Sequence, residues 1–148
     1  MARNGVRQFL DLGSGIPTSP PSVHDTARRV VPDARVVYVD HDPVVVAQNR
    51  ALRTDRDGLA VIKESFLDAE AVFGHPELQS VLDLSEPIGV LFLSVFQNTA
   101  DEVIAATLAD LRSRMAPGSH LAISHITDNT AADVRQAFNR ESEIGRYP

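Results

Sequence analysis

The chain has 148 residues, 43% of them hydrophobic, which is the size of one domain with enough apolar content for a buried core. It contains no cysteine, which excludes disulfides, thiolate nucleophiles and Cys-ligated zinc. A formal net charge of −6 opposes binding to a polyanion, and no apolar run approaches the roughly 18 residues a bilayer demands, so neither nucleic acid nor membrane is expected as a partner.

Charges mixed into the stretch from Met1 to Leu12 are unlike a signal peptide and point to a cytoplasmic protein. Phe9–Leu12 reads as a short strand running into Gly13-Ser14-Gly15. Thr26–Val31 is a short helix broken by Pro32-Asp33, and its Arg28-Arg29 pair reads as a solvated face. Arg35–Val39 is β-branched and aromatic, hence a strand. Asp42-Pro43 then supplies an N-cap and a first-turn proline for a helix through Leu52. Leu59–Lys63 is a third strand, followed by a helical stretch, Ala69–Phe73 and Pro76–Leu82, broken at Gly74-His75-Pro76.

Ile88–Leu93 is almost wholly apolar, as a parallel strand covered on both faces must be. Asn98 to Met115 places Val103, Ile104, Thr107, Leu108, Leu111 and Met115 on one face of an amphipathic helix. His120–Ser124 is a fifth strand and Thr130–Phe138 a last helix. This alternation predicts an α/β, doubly wound, mostly parallel Rossmann-like sheet of about five strands, for which analogy with the fold class gives the order 3-2-1-4-5. Its ligand would sit beyond the carboxyl ends of the strands.

The segment that carries chemistry is Asp11-Leu12-Gly13-Ser14-Gly15. Two glycines after a strand allow a sharp turn and close approach to a ligand. Asp40 closes the second strand 25 residues after Gly15 and is placed to accept hydrogen bonds from both hydroxyls of a ribose. A dinucleotide fingerprint needs a third glycine leading into a helix, but Thr18 stands there, flanked by Pro17 and Pro20. Asp11 would repel a pyrophosphate and attract the ammonium and sulfonium of S-adenosylmethionine. The methyl donor is therefore the expected nucleoside, and NAD, with an oxidoreductase activity, the weaker alternative.

The run from Gly5 to Thr18 resembles the first motif of the bacterial S-adenosyl methyltransferase family, and Arg35 to Val44 its second. His75-Pro76-Glu77-Leu78 and the stretch from Ala116 to His125 are similar to the same family, so the likeness extends from Gly5 to about Phe138. It implies a class I methyltransferase fold with cofactor residues Asp11, Gly13, Ser14, Gly15, Asp40 and His41. It also implies an adenine-contacting loop at Ser65, Phe66, Leu67 and Asp68, and a contribution from Ser94 at the end of the fourth strand. The family usually has an acid at the place of Ser65 and a histidine at that of Gln97. Its members also extend further at both ends, so the chain is expected to be truncated at both termini, without the usual terminal antiparallel pair.

Methyl transfer needs donor and acceptor aligned more than it needs a triad, though an acceptor hydroxyl or amine calls for a base. His41, Ser94, Gln97 and His125 stand at carboxyl ends of strands. His125 and Gln97 are the catalytic candidates, Gln97 only as an orienting group. His24, His75 and His120 lack metal-ligand spacing and read as structural or solvated. The expected activity is methyl transfer to a small-molecule acceptor; a non-catalytic nucleoside-binding module that lost its acceptor site is the alternative. An exposed fifth strand at the sheet edge would offer a surface for homodimer pairing.

Overall fold

The computed structural model describes residues 1–16, 21–53 and 57–125. Five parallel strands form one sheet: β1 (Gln8–Leu12), β2 (Arg35–Asp40), β3 (Leu59–Lys63), β4 (Gly89–Leu93) and β5 (His120–Ser124), in the order β3-β2-β1-β4-β5. The helices between them are α1 (Val23–Arg28), α2 (Pro43–Arg53), α3 (Ala69–Gly74), α4 (Pro76–Val81) and α5 (Asp101–Arg114). This is the Rossmann-like α/β arrangement that the alternation predicts. The direction of winding reverses between β1 and β4, and a crevice opens at their carboxyl ends. The expected helix Thr130–Phe138 lies outside the described residues, among which no helix is long and apolar enough to cross a membrane.

The pleat divides the apolar residues between two cores. Leu10, Leu12, Val37, Val39, Ile62, Val90 and Phe92 pack on one face against α3, α4 and Leu111 of α5. Phe9, Val36, Tyr38 and Val61 pack on the other against Ala27, Val31 and Val46. Each such burial contributes about 1.5–3 kcal/mol, so the central strands form a rigid base for the loops at their ends.

Local chemistry shifts two element boundaries. Helix α1 begins earlier than its periodicity suggests because Ser22 and Asp25 form a capping box, satisfying two orphan N–H groups. Its Arg28 is no simple solvated residue, since the guanidinium donates to Ala34 O (3.1 Å) and Asp57 O (2.6 Å). Helix α5 starts at Asp101, and Val103, expected on the core face, is 43% exposed, while Ile104, Thr107, Leu108, Leu111 and Met115 face inward. Strand β5 lies at the sheet edge, with Leu121 and Ile123 exposed.

Candidate functional site

Leu12 ends β1, and the chain turns onto the end of β2. The N–H groups of Gly13 and Ser14 both donate to Val39 O, at 2.9 and 3.0 Å. Gly13 has φ +72°, and a Cβ there would come 2.4 Å from Val95 Cγ1, so only glycine lets this turn meet the loop after β4. Gly15 has φ +61°, but among the described residues a Cβ on it would meet nothing within 4 Å. The first glycine is a packing necessity; the second is crowded by no described residue.

Asp40 closes this turn from the neighbouring strand. Its Oδ2 accepts the Gly15 N–H at 2.9 Å, and its Oδ1 accepts the Asp42 N–H at 3.0 Å. Each carboxylate oxygen has a further lone pair, which suits the carboxylate to a vicinal diol. His41, exposed, has Nδ1 3.6 Å from Asp40 Oδ1.

Asp11 sits one strand over, opposite Tyr38 in the β1–β2 register. Burial pushes its carboxyl up to about 6; the Arg53 guanidinium pulls it back down, and Asp40 adds to the rise. Two carboxylates so close to a glycine turn repel phosphate and attract a cation.

A polar network beneath the turn was not anticipated from the sequence. Asn49, fully buried on α2, donates from Nδ2 to Gly15 O (2.8 Å) and Val45 O (3.0 Å), and its Oδ1 accepts from Arg53. The Arg53 guanidinium lies over the Tyr38 ring, 3.9 Å from its centroid. The Tyr38 hydroxyl accepts the His24 N–H (3.1 Å) and pairs with His24 Nδ1 (2.7 Å). His24 is thus a buried structural histidine. The signal for this network was positional: Val45, Asn49 and Arg53 recur at four-residue spacing on the inward stripe of α2, where apolar residues belong.

The remaining expected residues divide. Phe66, half-buried, packs edge-on to Phe92 and Phe96, and its Cδ1 lies 3.6 Å from where a Gly13 Cβ would be, so it flanks the turn. Ser65 accepts the Leu67 N–H (3.2 Å) and shapes that loop. The exposed Asp68 caps α3 through Ala71 N–H (2.9 Å), a local duty that needs no ligand. Ser94 adopts φ +59°, the one positive value among the described non-glycine residues. Its N–H donates to Ser124 Oγ at 2.9 Å, tying the end of β4 to that of β5. His125 follows β5 and is exposed. Among the described residues, Ser14 Oγ and Gln97 Nε2 are buried without a hydrogen-bond partner. An apolar groove of about 490 Å³ between α1 and β4, lined by Phe9, Val23, Val30, Leu91 and Leu93 among others, contains none of the expected site residues.

The structure therefore gathers Asp11, Gly13, Ser14, Gly15, Asp40 and Phe66 at the switch point, with His41 beside them. An adenosyl group with a cationic tail fits this set: a diol acceptor, a second carboxylate, an aromatic flank, an orphan hydroxyl and a Gly15 that no described residue crowds.

A family model described as S-adenosyl methyltransferase matches residues 1–147. A Thermobifida fusca protein assigned provisionally to the methyltransferases is 33% identical with a TM-score of 0.84, over 94% of this chain and 53% of its own. A DUF574 family protein from Streptomyces avermitilis is 34% identical, also with a TM-score of 0.84, over 96% of this chain and 55% of its own. PKMT2 from Rickettsia typhi, solved in complex with AdoHcy, shares the fold at 18% identity and a TM-score of 0.61, over 97% of this chain and 25% of its own. The chain thus spans about half the length of the two more similar structures. No curated protein matches it.

Proposed function

We propose a function from one premise: this chain belongs to the S-adenosyl methyltransferase family. It binds S-adenosylmethionine across the turn at Gly13–Gly15 and supports methyl transfer to a small-molecule acceptor. The observation that carries this reading is the Asp40 carboxylate held against the Gly15 N–H, at the switch point of the sheet.

When bound, S-adenosylmethionine supplies a methyl group on a sulfonium, already an activated leaving group. The protein's task is then placement. Asp40 would accept hydrogen bonds from the ribose hydroxyls, Asp11 would meet the ammonium, and Phe66 would flank the adenine. Gln97, with its buried amide donors unpartnered, is suited to orient an acceptor but not to take a proton from it. The exposed His41 and His125 are the imidazoles available as bases. The net charge of −6 favours a small acceptor over a nucleic acid. Asp11 also weighs against NAD, whose pyrophosphate it would repel.

The alternative reading is a nucleoside-binding module without turnover. Calorimetry with S-adenosylhomocysteine, paired with a methyl-acceptor screen using labelled S-adenosylmethionine, separates the two. Binding with turnover is expected; binding without turnover on any acceptor favours the module, and absence of binding defeats both.

A further inference from the structure

The inward polar residues of α2 have no part in the ligand contacts proposed above. A guanidinium and a primary amide in a helix's core-facing stripe carry a desolvation cost, and apolar side chains of the same volume at such sites are often neutral or stabilising. Here both groups are oriented by contacts that lead to the ligand end of the sheet. Asn49 is fully buried and reaches out of its helix to the Gly15 carbonyl, on the residue whose N–H is held by Asp40. Arg53, 7% exposed, is fixed by Asn49 Oδ1 and by the Tyr38 ring, and Tyr38 stands opposite Asp11 in the sheet. His24 of α1 holds the Tyr38 hydroxyl from behind. Among the described residues, the charged or titratable groups around Asp11 are thus Arg53 from α2, Asp40 and Tyr38 from β2, and His24 behind Tyr38. Arg53 is the cation of this set.

We propose that Asn49 and Arg53 are positioning residues of the cofactor site, Asn49 fixing the glycine turn through the Gly15 carbonyl and Arg53, seated on the Tyr38 ring opposite Asp11, supplying the counter-charge to the Asp11 carboxylate that meets a cationic ligand. The inference rests on the reading that Asp11 faces the cofactor's ammonium. Neither side chain touches the ligand; one sets the shape of the turn and the other its charge. The influence of Arg53 on Asp11, opposing the effect of burial, agrees with this division.

The test follows the Asp11 carboxyl by carbon-13 NMR in the ligand-free chain, alongside calorimetry with S-adenosylmethionine across pH. In Arg53→Met the Asp11 midpoint is expected to rise by about one pH unit. The low-pH loss of affinity should move up with it, and Arg53→Lys should restore both. Should Arg53→Met fail to fold, Arg53→Gln, which keeps a donor for Asn49 without the charge, carries the same expectation. Asn49→Leu is expected to weaken S-adenosylhomocysteine binding about tenfold at pH 8 and to speed exchange of the Gly15 amide by a similar factor.

An unmoved Asp11 midpoint in the neutral Arg53 variants overturns the role of Arg53. Unchanged Gly15 exchange in Asn49→Leu overturns that of Asn49. Both readouts work without ligand. A wild-type chain that binds no S-adenosyl compound would therefore sink the proposed function while still deciding what these two residues do.

Discussion

Replacing Asp40 by asparagine separates the turn's support from the ribose contact. The carboxylate accepts from Gly15 N–H with one oxygen and from Asp42 N–H with the other, at 2.9 and 3.0 Å. Asparagine keeps the shape but has a single acceptor oxygen, so its NH₂ must confront one of those two N–H groups. A donor left unsatisfied in a nearly closed site costs about 1–3 kcal/mol. For a chain of this length that corresponds to a melting temperature lower by roughly 3–10 °C. The amide also loses a charged acceptor for a ribose hydroxyl, worth about 1.5–3 kcal/mol, or a roughly 10- to 150-fold weaker complex. Calorimetry with S-adenosylhomocysteine at pH 8, where Asp11 is ionised, measures the affinity; thermal melting measures the rest. A variant that melts lower but binds within twofold of wild type would make Asp40 a brace for the turn alone, and the ribose assignment would fail.

Asp11 links cofactor binding to pH. Its carboxyl titrates at about 6 in the fold against 3.8 for a free side chain, so the folded state holds a proton that the unfolded chain has released. The associated stability is fully present below about pH 4 and is lost as pH rises through about 6, where ionised Asp11 comes to cost roughly 3 kcal/mol. Asp11→Asn should therefore melt several degrees higher than wild type at pH 8, equal it near pH 4, and bind S-adenosylmethionine more weakly at pH 8; a lower melting point at pH 8 contradicts this. The two glycines should also part company. Gly13→Ala meets both a positive φ and the Val95 side chain, at a cost of about 2–4 kcal/mol, whereas Gly15→Ala carries mainly the backbone cost of about 1–2 kcal/mol. The methyl of Gly15→Ala would enter the space proposed for the ligand, so it should impair affinity more than stability. Equal melting points for the two variants would refute the packing argument.

The strands were legible because their signals are local. The β-branched run of β2, the apolar run of β4 and the bounds of β3 and β5 need no tertiary partner to be read. The order 3-2-1-4-5 came from the fold class, since periodicity carries no information about which strands adjoin. Helix α1 was placed late because its apolar stripe is thin, although Ser22-x-x-Asp25 already held the capping signal. Val103 lies on the edge of the α5 stripe, and a helix this exposed leaves such edge residues in solvent.

At the site, the glycine turn and Asp40 were readable because a strand end, two glycines and an acid at that spacing leave few geometries open. Asp68 carries a local duty the sequence reading did not include: its Oδ1 accepts the Ala71 N–H and caps the next helix. The Asn49–Arg53–Tyr38 network was hidden for the opposite reason. Asparagine and arginine on a helix ordinarily face solvent, and only the strand beneath reveals what turns them inward.

One measurement bears most directly on the whole account: a crystal structure of this chain grown with S-adenosylhomocysteine. Both ribose hydroxyls are expected within about 3.2 Å of the Asp40 carboxylate oxygens, with the adenine against Phe66 and the amino group toward Asp11. A ligand found elsewhere on the sheet, or one whose sugar turns away from Asp40, would contradict it.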